Sequence, residues 1–287
     1  MKTYNEIYLE ARKKLRMGGI SAHDLEARLI VSHASGKTKE EYLAASRLYV
    51  TEGATVKAVN EMLERRMGGE PLAYIVGEWE FYGLPIVVNR SVLIPRVDTE
   101  LLADVAISIL KKRGGQARLL DLCTGTGCVG LAVAANIPNC RVVLADVSEP
   151  ALAASRLNML NNNLGRQAIA IEADVMEQPP KLLGTFDIIV SNPPYIPTSD
   201  LKLLEPSVRD YEPHLALDGG PDGLTYIRAI IDSWSVLLRP GGAMAIECGI
   251  GQAQQVAAIM GEQEYKNIEV HTDTGGIERI VSGKIKG

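Results

Sequence analysis

The sequence predicts an α/β protein: a doubly wound, mostly parallel sheet preceded by a small all-helical N-terminal domain. Two observations carry this expectation. From about residue 117 onward, short apolar runs alternate with helical stretches, a pattern that buries a parallel sheet between layers of helices. Residues 1–74 instead place apolar side chains at helical spacing and show no strand pattern. The chain of 287 residues suits one large or two modest domains with a sizeable core. Its 46% apolar and 23% charged residues are ordinary for a globular protein.

In the helical part, residues 1–74, Ser21 and Asp24 stand three positions apart in the manner of a capping box. Ala22, Leu25 and Leu29 then recur at helical spacing until Gly36. Val56, Val59 and Leu63 form a second stripe, stopped by Gly68-Gly69, and both stripes read as bundle core. Residues 75–94 are punctuated by Gly77, Gly83 and Pro85. There Ile86-Val87-Val88-Asn89 reads as one arm of a hairpin that connects the domains. The third division is residues 95–287. Asp98-Thr99-Glu100 is expected to cap a helix with Leu101, Leu102, Val105 and Ile109 inward. Strands follow at 118–122, 141–145, 168–171 and 186–190, with a fifth at 242–248. Residues 267–271 and 278–282 complete the sheet as an antiparallel pair.

The net charge of −5 disfavours a protein whose affinity comes from neutralising many phosphates. Residues 1–70 hold 12 Lys and Arg against 10 Asp and Glu, an excess of two, which leaves −7 for the remainder. Arg12-Lys13-Lys14-Leu15-Arg16 is a basic cluster. Such a run is usually a solvated helix face, though contact with RNA or an acidic partner is also compatible with it. Met1-Lys2-Thr3-Tyr4-Asn5-Glu6 lacks the apolar run of a signal peptide, and no stretch is long and apolar enough to span a bilayer. Cys123, Cys128, Cys140 and Cys248 show no CxxC or framework spacing, so reduced thiols in a cytoplasmic protein are expected. Histidines 23, 33, 214 and 271 are scattered and suggest no metal site.

Asn192-Pro193-Pro194-Tyr195 is the most informative motif. Two prolines cannot extend a central strand, since each lacks the N–H that a ladder needs. The chain must turn out of the sheet there, at the strand edge where open α/β sheets bind ligands. Asn192 offers a neutral acceptor oxygen, the prolines fix their backbone, and Tyr195 supplies a flat face. These groups suit a planar amino-bearing group whose nitrogen reacts. A lone tetrapeptide of this kind would be a surface turn, but the upstream motif argues otherwise.

Upstream, Asp121-Leu122-Cys123-Thr124-Gly125-Thr126-Gly127-Cys128-Val129-Gly130 lies between a strand and a helix. Its three glycines fit GxGxxG, a weak signal by itself that this context strengthens, and Asp146 ends the second strand 21 residues after Gly125, where an acid can hold a ribose. Asp174 ends the third strand at the same edge. Either NAD or S-adenosylmethionine fits these features. The tetrapeptide discriminates: no suitably placed His or Lys announces a hydride-transfer site, whereas Asn-Pro-Pro-Tyr matches a methyltransferase acting on a planar nitrogen.

With both motifs in hand, the chain resembles the bacterial peptide chain release factor glutamine N5-methyltransferases over nearly its whole length. The resemblance rests on 69–77, on Glu80-Phe81-Tyr82-Gly83, on Leu93-Ile94-Pro95-Arg96-Val97-Asp98-Thr99-Glu100, on both motifs above and on 208–224. The tetrapeptide is also shared with DNA adenine and ribosomal RNA guanine methyltransferases; segments 93–100 and 208–224 are the specific ones.

The resemblance implies a class I S-adenosylmethionine-dependent, Rossmann-like methyltransferase, with release factors as partners, no direct nucleic-acid requirement, no membrane and a monomeric state. It gives cofactor contacts to Cys123, Thr124, Gly125, Thr126, Gly127, Asp146, Asp174, Val175 and Asn192, and catalysis to Asn192, Pro193, Pro194 and Tyr195. S-adenosylhomocysteine would be the product. The hairpin and helical domain would wall a groove for the release-factor loop, with 197–224 as its lid or floor. Arg209 and Glu212 would contact that loop or form an internal salt bridge. Two departures from relatives stand out. Cys123 replaces a common glycine, tolerable if its φ is negative, and Val175 replaces an aromatic, so adenine would pack on an aliphatic surface. The alternative function is N-methylation of an exocyclic base amine in RNA or DNA, which the net charge disfavours. A non-catalytic adenosine-ligand sensor is a third reading, which the intact tetrapeptide disfavours.

Overall fold

In a computed structural model, residues 1–50 and 53–287 are described. The chain divides into two compact units, Met1–Gly77 with Pro206–Tyr211, and Glu78–Glu205 with Glu212–Gly287.

The first unit contains α1 (Tyr4–Met17), α2 (His23–Ala34), α3 (Lys39–Ala45), α4 (Gly53–Met67) and α5 (Leu72–Val76). Its core joins Ile7, Ala11 and Leu15 of α1, Ala27, Ile30 and Val31 of α2, and Val59, Met62 and Leu63 of α4. Capping boxes are present at Thr3/Glu6 and Thr38/Glu41. The one expected at Ser21 is not: α2 starts after Ala22 without a side-chain cap. Asp24 is used elsewhere, accepting from the Tyr8 hydroxyl and the Arg12 guanidinium, each at 3.2 Å. The expected apolar stripe is also displaced. Leu25 is 57% exposed while Glu26 is buried, because Glu26 meets Arg66 in a two-bonded ion pair at 2.7 and 3.1 Å. Within the basic cluster Leu15 is core, and Lys13, Lys14 and Arg16 face solvent.

The second unit opens with the antiparallel hairpin β1 (Glu78–Phe81) and β2 (Leu84–Val87). Then come α6 (Glu100–Arg113), β3 (Ala117–Leu122), α7 (Cys128–Asn136), β4 (Cys140–Asp146), α8 (Glu149–Asn161), β5 (Ala168–Glu172) and β6 (Phe186–Ser191). After the short α9 (Pro206–Arg209) of the first unit, α10 (Thr225–Ala229) runs into a wider π turn, Ile230–Trp234. The remaining elements are β7 (Leu238–Glu247), α11 (Ala253–Glu262), β8 (Lys266–Thr272) and β9 (Glu278–Lys284). Seven of these strands form one sheet in the order β5-β4-β3-β6-β7-β9-β8. The first five are parallel to their neighbours, and β9 and β8 are added antiparallel. The hairpin is tied to α8 by the buried Asn158, which accepts from Val87 N at 2.7 Å and donates to Val87 O and Thr126 O.

Two boundaries differ from expectation. β7 begins at Leu238 rather than 242, because Leu238 pairs with Phe186 and a register shift absorbs Pro240-Gly241-Gly242. α6 has no side-chain cap at Thr99, whose hydroxyl is engaged in the site described below. Leu102 and Val105 are buried as expected, but Leu101 and Ile109 are only half-buried, and Ala103, Ala106, Ile107 and Leu110 complete the inward face.

Gly130 lets α7 pack tightly on the sheet. A Cβ there would stand 2.4 Å from Leu144 Cδ2, 2.9 Å from Val142 Cγ1 and 3.0 Å from Asp121 Oδ2. Gly130→Ala should therefore destabilise the fold by about 1–3 kcal/mol through overpacking. Urea denaturation with an unchanged midpoint would refute this.

Candidate active site

Two turns leave the sheet side by side at its C-terminal edge. β3 and β6 are in register with Leu122 opposite Ser191, and Ser191 Oγ donates to the Leu122 carbonyl at 2.8 Å. The next residues, Cys123 and Asn192, both line a cleft of about 1000 Å³.

The glycine-rich turn uses left-handed backbone at three places: Cys123 (φ 55), Gly125 (φ 55) and Gly127 (φ 82). The condition set for Cys123, a negative φ, is thus not met. A non-glycine residue there costs about 1–2 kcal/mol, offset by the surroundings that hold the turn. Thr124 N donates to Ala145 O at 3.0 Å, and Gly127 N to Thr124 O at 2.8 Å. Burial, then the nearby Asp146 carboxylate, pushes the Cys123 thiol up and keeps it neutral, against a Ser191 hydrogen bond.

Asp121 braces the same turn from below. It is buried, and its Oδ2 accepts from Thr124 Oγ1 at 2.6 Å and Gly130 N at 3.0 Å. Burial nevertheless pushes its pKa up to about 7. Asp146 accepts from Gly125 N at 2.8 Å through Oδ2 and from Ser148 N at 2.9 Å through Oδ1. Each carboxylate oxygen can still accept a second donor. Burial also raises Asp146, against its backbone hydrogen bonds.

Of the residues expected to hold a cofactor, Cys123, Thr124, Gly125, Thr126, Asp146, Asp174, Val175 and Asn192 all line the cleft, while Gly127 starts α7 behind it. Asp174 turns one oxygen to Met176 N at 2.8 Å. Val175 is buried, and its carbonyl accepts from the fully buried Trp234 Nε1 at 3.1 Å, so the aliphatic wall is anchored to the core. Within the tetrapeptide, Asn192 and Pro194 line the cleft; Pro193 and Tyr195 do not. Tyr195 packs against the core, and its hydroxyl donates to Glu247 Oε1 at 3.4 Å.

Asn192 is oriented by Thr99. Its Nδ2 donates to Thr99 Oγ1 at 3.2 Å, and its Oδ1 meets no donor among the described residues. Glu247, at the end of β7, is 2% exposed. Burial pushes its pKa up to about 7, against the Thr99 hydroxyl, Arg279 and the Tyr195 hydroxyl, while Asp98 adds to the rise. Its Oε2 meets no hydrogen-bond partner among the described residues.

The sequence reading missed the strand-free segment 91–99, of which Ser91, Val92, Leu93, Pro95, Arg96 and Thr99 line the cleft, and it missed Tyr226. The only signal for 91–99 was its place in the resemblance, since it carries no periodicity. Pro213, Leu215 and Ala216, within the segment expected as a lid or floor, also line it. Glu212 is buried, accepts from Ile94 N at 3.1 Å and pairs with Arg96, whereas Arg209 pairs with Asp210 at 2.7 Å.

Comparison with known proteins places this arrangement in context. Residues 97–220 match the family described as Methyltransferase small domain, and residues 6–77 match the PrmC N-terminal domain. A release factor glutamine methyltransferase of Geobacter sulfurreducens is 41% identical over 230 residues, 79% of this chain and 78% of the relative. One from Agrobacterium fabrum is 35% identical over 277 residues, 96% and 94% of the two chains. The crystal structure of a methyltransferase from Pyrococcus furiosus, 19% identical, shares the fold with a TM-score of 0.52 over 72% of this chain and 91% of its own. The fold is that of a class I methyltransferase. The chain belongs to the family of release factor glutamine methyltransferases.

The raised carboxylates make stability depend on pH. Folded Asp121 holds its proton up to about 7, whereas in the unfolded chain it releases it near 4. The folded state thus binds more protons between these values, and this contribution to stability falls as pH rises from about 4 to about 7. Asp121→Asn keeps an acceptor for Thr124 and Gly130 and removes the titration. The variant should gain on the wild type in melting temperature from about pH 4.5 to 7.5. Parallel melting curves across that range would contradict the assignment.

Proposed function

We propose that the protein transfers the methyl group of S-adenosylmethionine to the side-chain amide nitrogen, N5, of the glutamine in the Gly-Gly-Gln motif of peptide chain release factors. The observation that carries this is the Asn192 amide, fixed through Nδ2 and offering Oδ1 to a cleft that opens on the glycine-rich turn and Asp146. The cofactor fit is supported by spare acceptor capacity on Asp146, by open space at the left-handed Gly125 and by the aliphatic Val175 wall. In this reading Cys123 to Gly127 shape the donor site, Asp146 takes the ribose hydroxyls, and Asp174-Val175 flank adenine. When bound, S-adenosylmethionine supplies an electrophilic methyl carbon on its sulfonium.

The chain's own part is positioning. An amide nitrogen is a poor nucleophile because its lone pair is delocalised, as the peptide C–N rotation barrier of about 18–20 kcal/mol shows. Asn192 Oδ1 would accept one of its N–H bonds and aim it at the methyl group; the Pro193 carbonyl, expected to accept the other, lies outside the cleft lining. A nitrogen gaining the methyl would be a stronger donor, so this acceptor would favour the transition state. The C–S electron pair would stay on sulfur, giving S-adenosylhomocysteine, and the methylated nitrogen would release one of its protons to water. Pro194 holds this backbone, and Tyr195 braces it from behind. The division into 1–74 for recognition, 75–94 as hairpin connector and 95–287 for catalysis belongs to this reading, as do a monomeric state and a cytoplasmic location. No described helix is long and apolar enough to cross a membrane.

Incubation with a bacterial release factor and S-adenosylmethionine, followed by peptide mass spectrometry, should show one added methylene mass on the Gly-Gly-Gln glutamine. No gain there, with methyl label entering RNA or DNA instead, would move the substrate to nucleic acid. Asn192→Ala should lower kcat about 100- to 1000-fold, by analogy with deleted oxyanion-hole donors, with donor affinity only partly weakened. Wild-type turnover in that variant would remove Asn192 from the mechanism.

A further inference from the structure

At the opposite end of the sheet from the cleft, several strands begin on arginine. Arg118 is the second residue of β3, Arg141 the second of β4 and Arg239 the second of β7, while Arg166 lies two residues before β5. All four line one cavity of about 1220 Å³, and no Asp or Glu is part of that lining. The polar side chains beside them, Gln116, Asn139, Asn163 and Gln167, are neutral amides. β3 is six residues long, which puts about 20 Å of strand between this cavity and the glycine-rich turn.

Gathering one sign of charge in this way is unfavourable. Arg118 and Arg141 are register partners in the parallel β3–β4 ladder, so two cationic side chains start from strands about 4.7–4.9 Å apart, where like charges repel. The fold holds these groups in place more than it neutralises them. Arg118 donates to the Thr185 carbonyl at 3.0 Å and the Leu183 carbonyl at 2.9 Å, and lies over the Phe186 ring, 4.6 Å from its centre. Carbonyls fix the plane of a guanidinium without cancelling its charge, and these bonds use only two of its five N–H donors. Arg141 donates to the Arg166 carbonyl, and the Arg166 guanidinium has no hydrogen bond or ion pair among the described residues. Arg239 alone of the four meets a carboxylate. It donates to Asp187 at 2.9 and 3.1 Å, and Arg113 shares that acid at 2.7 Å. Three guanidinia on the lining, those of Arg118, Arg141 and Arg166, are thus without an ion pair among the described residues.

We propose that this cavity binds a compact polyphosphate group, the di- or triphosphate chain of a nucleotide or of inorganic polyphosphate, on Arg118, Arg141 and Arg166. Guanidinium forks match phosphate oxygens two at a time, and the neutral amides add N–H donors without adding negative charge. A single phosphate monoester brings a charge of about −1.5 to −2, which leaves part of three cations uncompensated. A chain of two or three phosphates offsets all of them. A long polyanion fits less well, because residues 71–287 carry a net charge of −7 and repel phosphates that extend past the cavity. The site is independent of what the cleft methylates.

The test is calorimetric titration of the full chain with inorganic tripolyphosphate at about 50 mM salt, with and without S-adenosylhomocysteine. Guanosine triphosphate and a short mixed-sequence oligonucleotide serve as comparisons. Tripolyphosphate should bind at one site per chain, unaffected by S-adenosylhomocysteine. Arg141→Ala and Arg166→Ala, both at exposed positions, should each weaken it about tenfold and leave the melting temperature at the wild-type value. Lys13→Ala, in the basic run of α1, should leave binding unchanged. Guanosine triphosphate binding more tightly than tripolyphosphate marks a nucleotide as the source of the chain, and equal or weaker binding marks the phosphates alone; either supports the site. A wild-type protein that does not bind tripolyphosphate overturns the inference. So does binding that survives both arginine substitutions, falls equally in Lys13→Ala or is displaced by S-adenosylhomocysteine. An oligonucleotide that binds more tightly than tripolyphosphate, and is lost in the same arginine variants, overturns the compact ligand in favour of nucleic acid.

Discussion

Everything at the site depends on the parallel pairing of β3 with β6. With Leu122 opposite Ser191, the two strands end level, and the Ser191 hydroxyl closes on the Leu122 carbonyl. A one-residue slip would send every side chain of β6 to the opposite face, moving Phe186, Ile188 and Val190 relative to the helices that cover them. The core therefore fixes the register, and the register fixes the separation between glycine-rich turn and tetrapeptide. Packing far from the cleft thereby sets the relation between the two halves of the reaction.

Around that junction the fold keeps costly features. Cys123 is left-handed without being glycine. Asp121 and Glu247 are buried and held near the point where they would lose their charge. Each sits beside the site: Asp121 bonds both Thr124 and Gly130, and Glu247 receives the Tyr195 hydroxyl. Strain and buried polarity of this kind concentrate at functional sites because apolar replacements could not orient a ligand. The rest of the second unit carries the compensating burial, centred on Trp234, Phe186 and Leu120.

Much of this was legible in the sequence. The parallel strands are continuous apolar runs, so periodicity finds them, and the glycine motif and Asp146 fall at strand ends that those runs define. Reading failed where a residue's use depends on a distant partner. Asp24 looks like a cap but serves Tyr8 and Arg12. Thr99 looks like a cap but faces Asn192. Pro240-Gly241-Gly242 reads as a break, yet β7 pairs across it through a bulge. Glu247 gave no signal, because a single glutamate ending an apolar strand normally meets solvent. Its hydrogen-bond partner, Tyr195, is remote in the chain.

The use of a neutral amide at position 192, rather than a carboxylate, follows from the chemistry on both sides of it. A carboxylate would accept the substrate N–H bonds more strongly, but it would also attract the positive sulfonium in the ground state, and binding that is equal before and at the transition state does not raise turnover. The amide avoids that cost at the expense of ambiguity, since its two ends differ little in shape. A carboxylate cannot be reversed by rotation, whereas an asparagine can. Thr99 Oγ1, which accepts from Asn192 Nδ2, is the contact the structure sets against that ambiguity.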